Sequence, residues 1–266
     1  SAGLVTAVAN GTATITATSG SASATTATTI DLLLVEFLTA SYGQTARTGS
    51  AVAVVPTVRV RRTSGTVAAG VLVTFSVTAG GGSVGADTAT TNSSGVASVG
   101  SWTIGPTKVT NTIKASAPGA GDSNLNVTAR YPYWTMMVYL AADNNLASAG
   151  FKDIEEMEAA GYDPEVQVVM QAEFNPGYMS QANYTLAGMG LSSWNTFRYA
   201  IGDDTRVSGK IDGQVEYATG AVDMSDPTKL TEFVQWAQST YPSERSILVP
   251  WNHGGGYIGL VQDLTD

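Results

Sequence analysis

The sequence has no cysteine at any of its 266 positions and a single histidine. Disulfides, thiolate metal sites and a cysteine nucleophile within this chain are excluded at once. Charge is sparse as well, with 13% Asp, Glu, Lys and Arg together and a net charge of −9. That sign argues against nucleic acid and against anionic membrane as partners. No apolar run is long enough to span a bilayer. No initiator methionine or signal peptide is visible, so the ends read as processing sites or as the ends of a fragment.

What is present is enough chain for two or more domains, with 43% hydrophobic residues and mean hydropathy +0.05. The charge is uneven. Residues 1–130 carry seven Lys/Arg against four Asp/Glu, whereas residues 131–266 carry six against eighteen. This change of composition places a boundary near Arg130-Tyr131-Pro132.

Residues 1–30 consist almost wholly of Ala, Thr, Ser, Val and Gly. Alternating β-branched residues with Asn10-Gly11 as a turn signal predict strands. A disordered Ser/Thr linker competes with that reading. Residues 31–130 contain apolar runs at Leu32–Leu38, Ala51–Arg62, Val71–Thr78, Gly95–Thr103, Val109–Ala115 and Leu125–Ala129, which predict an all-β sandwich. Gly81-Gly82-Ser83-Val84-Gly85 fits the G-x-S-x-G elbow, and Gly80 to Gly85 fits G-x-G-x-x-G. Both need a helix to follow. ADTATTNSSG follows instead, so the segment reads as a glycine loop. Arg59, Arg61 and Arg62 read as a solvated sheet face. Gly3-Leu4-Val5 through Thr18 resembles the last strands of a bacterial group-2 Ig-like module. AAGVLVTFSVTAGGGSVG and the stretch from Thr90 to Gly119 resemble invasin-type Ig-like repeats. These resemblances imply spacer or adhesion modules and no catalysis.

From Tyr133 the pattern changes. Trp134–Leu140 and Val166–Met170 are continuous apolar runs, as in strands covered on both faces. Between them, Phe151, Ile154 and Met157 recur at helical spacing. Asp226-Pro227 caps a second helix, with Leu230, Phe233, Val234 and Ala237 on one stripe. Ser193–Ile201 and Gln214–Tyr217 allow an extra hairpin. Ser246–Trp251 is the last strand. The order is βαβ with a parallel sheet and flanking helices.

That strand runs into Asn252, His253 and the glycines Gly254, Gly255 and Gly256. Open α/β sheets place ligands and catalytic groups just past the C-terminal ends of strands. A histidine beside free backbone N–H donors can serve acyl transfer. On this segment alone, a structural histidine in a plain glycine loop explains the residues as well.

Three segments in order, WTMMVYLAADNNL, DMSDPTKLTEFVQWAQSTYP and the NHGGG turn, resemble the clostripain-like cysteine peptidases of the caspase-like clan, over residues 132–266. The resemblance implies an N-terminal part of a caspase-like α/β domain, with the His253 strand central in the sheet that both halves build and an unpaired, apolar edge where this half stands alone. It implies that His253 is the catalytic histidine and Gly254 N–H an oxyanion donor. Asn252 shapes the turn. Asp143 lines the same face or is a turn residue. The nucleophilic cysteine and the residues selecting a basic P1 side chain would lie in a missing C-terminal half, the expected partner beside a peptide or protein substrate. The expected organisation is a partial Ig-like module at 1–30, an Ig-like sandwich at 31–130 and a truncated peptidase domain at 131–266. The expected function is that of a fragment of a secreted or surface endopeptidase, inactive alone. The competing reading is a non-catalytic surface spacer with a degenerate peptidase-like domain. Glu155, Glu156 and Glu158 read as a solvated helix face, and Asp203-Asp204 and Asp212-Gly213 as turns. No cofactor is expected, and Asp263 with Asp266 is too small a set to specify calcium.

Overall fold

The computed structural model describes residues 9–161, 163–175, 178, 196–201, 214–218 and 220–254, the segment 214–218 by its backbone alone. Two compact units divide the chain, Ser1–Arg130 and Tyr131–Asp266.

The first unit opens with an exposed antiparallel hairpin, β1 (Gly11–Ser19) and β2 (Ala22–Ile30). Its turn is Gly20-Ser21. The run expected before Asn10-Gly11 lies outside the described residues, and Asn10 Oδ1 instead accepts from the Leu32 amide at 2.8 Å. Then come β3 (Leu33–Phe37), β4 (Thr45–Arg47), β5 (Thr57–Arg62), β6 (Leu72–Ala79), β7 (Gly82–Val84), β8 (Thr88–Thr90), β9 (Val96–Ser98), β10 (Trp102–Ile104), β11 (Thr110–Ser116) and β12 (Ser123–Arg130). One sheet runs β4-β12-β11-β6-β8 and another β3-β5-β9, with β10-β7 as a separate pair. Val35, Phe37, Val58 and Val60 of one sheet share a core with Val73, Phe75, Ile113, Leu125 and Val127 of the other. Two inner faces closing on one core make a sandwich.

The run Ala51–Arg62 is strand only from Thr57, because Pro56 cannot donate to a ladder. The run Gly95–Thr103 is two strands, β9 and β10, broken at Val99-Gly100-Ser101. The glycine segment belongs to β-structure. Gly82 starts β7 at φ +90°, and a Cβ there would lie 2.1 Å from the Thr103 carbonyl oxygen. Neither glycine motif is followed by a helix, so neither forms its site. Arg61 forks onto Glu36 across the sheet, with Nε–Oε2 2.9 Å and Nη2–Oε1 3.0 Å.

The Asp31 carboxylate closes the turn after β5. It accepts from Thr63 Oγ1 at 2.7 Å, the Ser64 amide at 3.1 Å and Ser64 Oγ at 2.6 Å. The Ser64 and Thr63 hydroxyls hold its pKa below the ordinary carboxylate range. A lowered folded value means the charged form favours the fold. That stabilisation is complete above the unfolded value of about 4 and is lost as pH falls through the lower folded value. Asp31→Asn should lower the thermal midpoint of this unit at neutral pH and flatten its decline on acidification. Identical pH profiles for the two proteins would contradict the assignment.

The second unit contains β13 (Trp134–Ala142), α1 (Ala147–Ala160), β14 (Val166–Phe174), β15 (Phe197–Ala200), β16 (Gln214–Ala218), α2 (Pro227–Thr240) and β17 (Arg245–Trp251). The strand order is β16-β15-β14-β13-β17. β13 pairs in parallel with β14 and with β17, while β14–β15 and β15–β16 are antiparallel. The sheet is therefore mixed rather than all parallel, with the hairpin appended beside β14. Among the described residues β17 ends the order, and its Ile247 and Leu248 are exposed, as expected of a sheet that a second half would complete.

β13 is buried on both faces, which is why its sequence is continuously apolar. Val138, Leu140 and Ala142 pack with Phe151 and Ile154 of α1. Met137, Tyr139 and Ala141 pack with Phe233 and Ala237 of α2. Asp226 caps α2 by accepting from the Thr228 amide at 2.8 Å, with Pro227 in the first turn. Glu158 does not lie on a solvated face. It is 4% exposed and takes the hydroxyl of buried Tyr199. Seven residues after Phe151 and four after Ile154, it falls on the same stripe of α1.

Gly150 brings α1 close to the sheet. A Cβ at this position would lie 3.0 Å from Leu140 Cδ2, 3.2 Å from Ala142 Cβ and 3.3 Å from the Trp251 ring. Gly150→Val should therefore destabilise the second unit by roughly 1–3 kcal/mol through overpacking. Denaturant unfolding measures it, and an unchanged midpoint would show that the helix can move away freely.

Candidate active site

Parallel pairing brings the C-terminal ends of β13, β14 and β17 to one edge. Ala142 lies opposite Phe174, and Leu140 opposite Trp251. Asp143, one residue past β13, and His253, two past β17, therefore emerge at the same edge. Each strand delivers its loop there because its apolar run ends there.

The His253 turn is pinned by the two residues before it. Trp251 Nε1 donates to Asp153 Oδ2 of α1 at 2.8 Å. Asn252 Nδ2 donates to the Ala141 carbonyl at 3.0 Å. The loop from β13 to α1 uses the same acceptor, since Asn144 Nδ2 reaches the Ala141 carbonyl at 3.2 Å. Asn144 Oδ1 accepts from the Leu146 amide at 2.8 Å, and this side chain is 1% exposed. One carbonyl oxygen thus joins both loops. Across the gap, His253 Nε2 and Asn145 Oδ1 lie 2.6 Å apart.

His253 and Gly254 are both exposed, so a substrate can reach them. Gly254 has φ +67°, and nothing lies within 4 Å of the place a Cβ would occupy. Its conformation requires glycine, while its surroundings are open. Asp143 is buried in the turn after β13. It does not cap α1, whose N-cap is Leu146 without a side-chain bond. The buried carboxylate of Glu173, opposite Ala141, lies at the same edge and accepts from the Val222 amide at 3.3 Å.

Asn145 was not singled out by the sequence. Its signal was the DNN run directly after a buried strand, where only the aspartate drew notice. Among the described residues no three His, Asp or Glu side chains gather as a metal site. Gly255, Gly256, Asp203, Asp204, Asp212, Asp263 and Asp266 lie outside the described residues. Among the described residues no helix is long and apolar enough to cross a membrane.

This unit is an α/β domain with a mixed sheet, and an exposed histidine lies beside an open glycine past the C-terminal ends of its parallel strands. The model of the clostripain family matches residues 138–265, somewhat under half of the chain, and supports a clostripain-like, cysteine-peptidase-like second unit. Clostripain of Hathewaya histolytica is 30% identical over 125 residues, 46% of this chain and 23% of its own length. The chain therefore spans about a quarter of that relative. A solved B. fragilis cysteine protease aligns with 48% of this chain and 93% of its own, at 22% identity and TM-score 0.37. The Yersinia pseudotuberculosis adhesin InvE aligns with 46% of this chain and 40% of its own, at 24% identity and TM-score 0.27.

The Asn252 bond sets the position of the His253 backbone. Asn252→Ala should cost about 0.5–1.5 kcal/mol and accelerate amide hydrogen exchange selectively at Asn252–Gly254. Uniform protection in native and variant proteins would show that the turn is held by other groups.

Proposed function

We propose that this chain is the histidine-bearing part of a secreted or surface cysteine endopeptidase. The Ig-like readings of residues 1–30 and 31–130 make them spacer or adhesion modules, and residues 131–266 form the N-terminal part of a caspase-like catalytic domain. The observation that carries this reading is an exposed His253 beside Gly254 at the strand edge, within the segment that matches the clostripain family.

The thiol would come from sequence outside these 266 residues, since this chain has no cysteine. In the reaction, neutral His253 takes the thiol proton and the thiolate sulfur attacks the peptide carbonyl carbon. The carbonyl oxygen becomes an oxyanion, held in part by the Gly254 N–H. The C–N bond then breaks as imidazolium His253 gives its proton to the leaving amine. Water, deprotonated by His253, hydrolyses the thioester and restores the thiol. Cleavage after basic residues is what the resemblance implies, with the residues that select them in the part that bears the cysteine.

The second reading is a non-catalytic surface spacer with a degenerate peptidase-like domain. Activity separates the two. The 266-residue chain alone should not turn over Arg or Lys reporter peptides. In a protein that joins it to the cysteine, His253→Ala should lower kcat by roughly 10²–10⁴-fold. Full activity in that variant would refute the role of His253. A natural protein without any cysteine after this segment would establish the spacer.

A further inference from the structure

We infer that Asn145 is the positioning residue for His253: its Oδ1 accepts a hydrogen bond from Nε2–H and leaves Nδ1 as the free basic nitrogen. The catalytic half of this inference rests on the peptidase reading above. The hydrogen bond itself does not.

The other anchors of the turn act on the residues around His253 and leave its ring alone. Trp251 and Asn252 are tied by their own side chains, and the His253 amide lies 2.5 Å from Asn252 Oδ1. An exposed imidazole on a fixed backbone still has two free torsions. Among the described residues the ring's hydrogen-bond partner is Asn145 Oδ1, at 2.6 Å. Asn145 is itself held, because Asn144 is buried beside it and bonded to both the Ala141 carbonyl and the Leu146 amide. Since Asn252 binds that same Ala141 carbonyl, the two loops share one anchor. The backbones that carry Asn145 and His253 are therefore tied together by three hydrogen bonds.

The direction of the bond follows from the acid–base cycle. An amide oxygen can accept from Nε2–H when the ring is neutral and when it is charged. An amide NH₂ could donate only to a neutral Nε2 and would lose its partner on protonation. Only the first arrangement holds the ring through both halves of the reaction. It also fixes the tautomer with its lone pair on Nδ1, the nitrogen left to face a thiol.

His253 is the one histidine, so its ring nitrogens are assigned without ambiguity in the full chain labelled with ¹⁵N-histidine. Above the titration, long-range ¹H–¹⁵N spectra should show Nε2 protonated and Nδ1 bare. Asn145→Asp, nearly isosteric and on an exposed loop, should raise the imidazole titration midpoint by about 1–3 pH units through the adjacent carboxylate. A proton on Nδ1 in the native chain, or an unchanged midpoint in Asn145→Asp, would overturn the inference. In the cysteine-bearing protein, Asn145→Ala should lower kcat/KM roughly 10–100-fold, as loss of a histidine-orienting partner does. Asn145→Asp should restore part of that and move the acid limb of the pH profile. If His253→Ala abolishes turnover while Asn145→Ala stays within threefold with a native profile, the positioning role is wrong and the peptidase reading stands. If His253→Ala is fully active, the peptidase reading fails, and the catalytic role of Asn145 fails with it.

Discussion

The second unit depends on the parallel pairing of β13 with a neighbour on each side. Parallel strands need crossovers, and the crossovers here include α1 and α2, which seal opposite faces of β13. Once all three strands point the same way, their outgoing loops must meet at one edge. The Ala141 carbonyl, at the end of β13, then receives side chains from two of those loops. The candidate site is a consequence of strand direction, joined by a single acceptor.

The groups that touch the His253 ring and its amide are uncharged, although Asp143 and Glu173 lie at the same strand edge. His253 is held by amides, from Asn252 behind and Asn145 in front, and the indole–carboxylate bond of Trp251 secures the strand end. Amides hydrogen-bond without adding charge. Gly150 serves the arrangement from beneath, because the helix that begins beside Asn145 must sit close against Leu140 and Trp251.

Much of this was legible in the sequence, and the parts that were not have physical reasons. β13 and β14 announce themselves as buried apolar runs, β17 is an apolar run whose Ile247 and Leu248 are exposed, and Asp226-Pro227 marks α2 because capping is local chemistry. Pairing partners are not local, so the extra strands at Phe197–Ala200 and Gln214–Ala218 could be read from the sequence, but not their addition beside β14. Glu158 was misread because charge outweighed position: its spacing from Phe151 and Ile154 already put it on the buried stripe. Asn145 was overlooked because an exposed asparagine has no pattern until the histidine more than a hundred residues later is placed beside it. In the sandwich, Gly82-Ser83-Val84 was correctly separated from a nucleophile elbow, since the following residues favour β-structure. Pro56 and Gly100, which cut two expected strands short, were visible and underweighted.

The central claim is that His253 works as the acid–base partner of a thiol. The most direct test is the pH dependence of cysteine alkylation by iodoacetamide in a protein that joins this chain to its nucleophile. The account predicts a thiol that reacts as thiolate well below the free-cysteine value of about 8.5, and a return toward that value in His253→Gln. The same alkylation profile with and without the imidazole would contradict it.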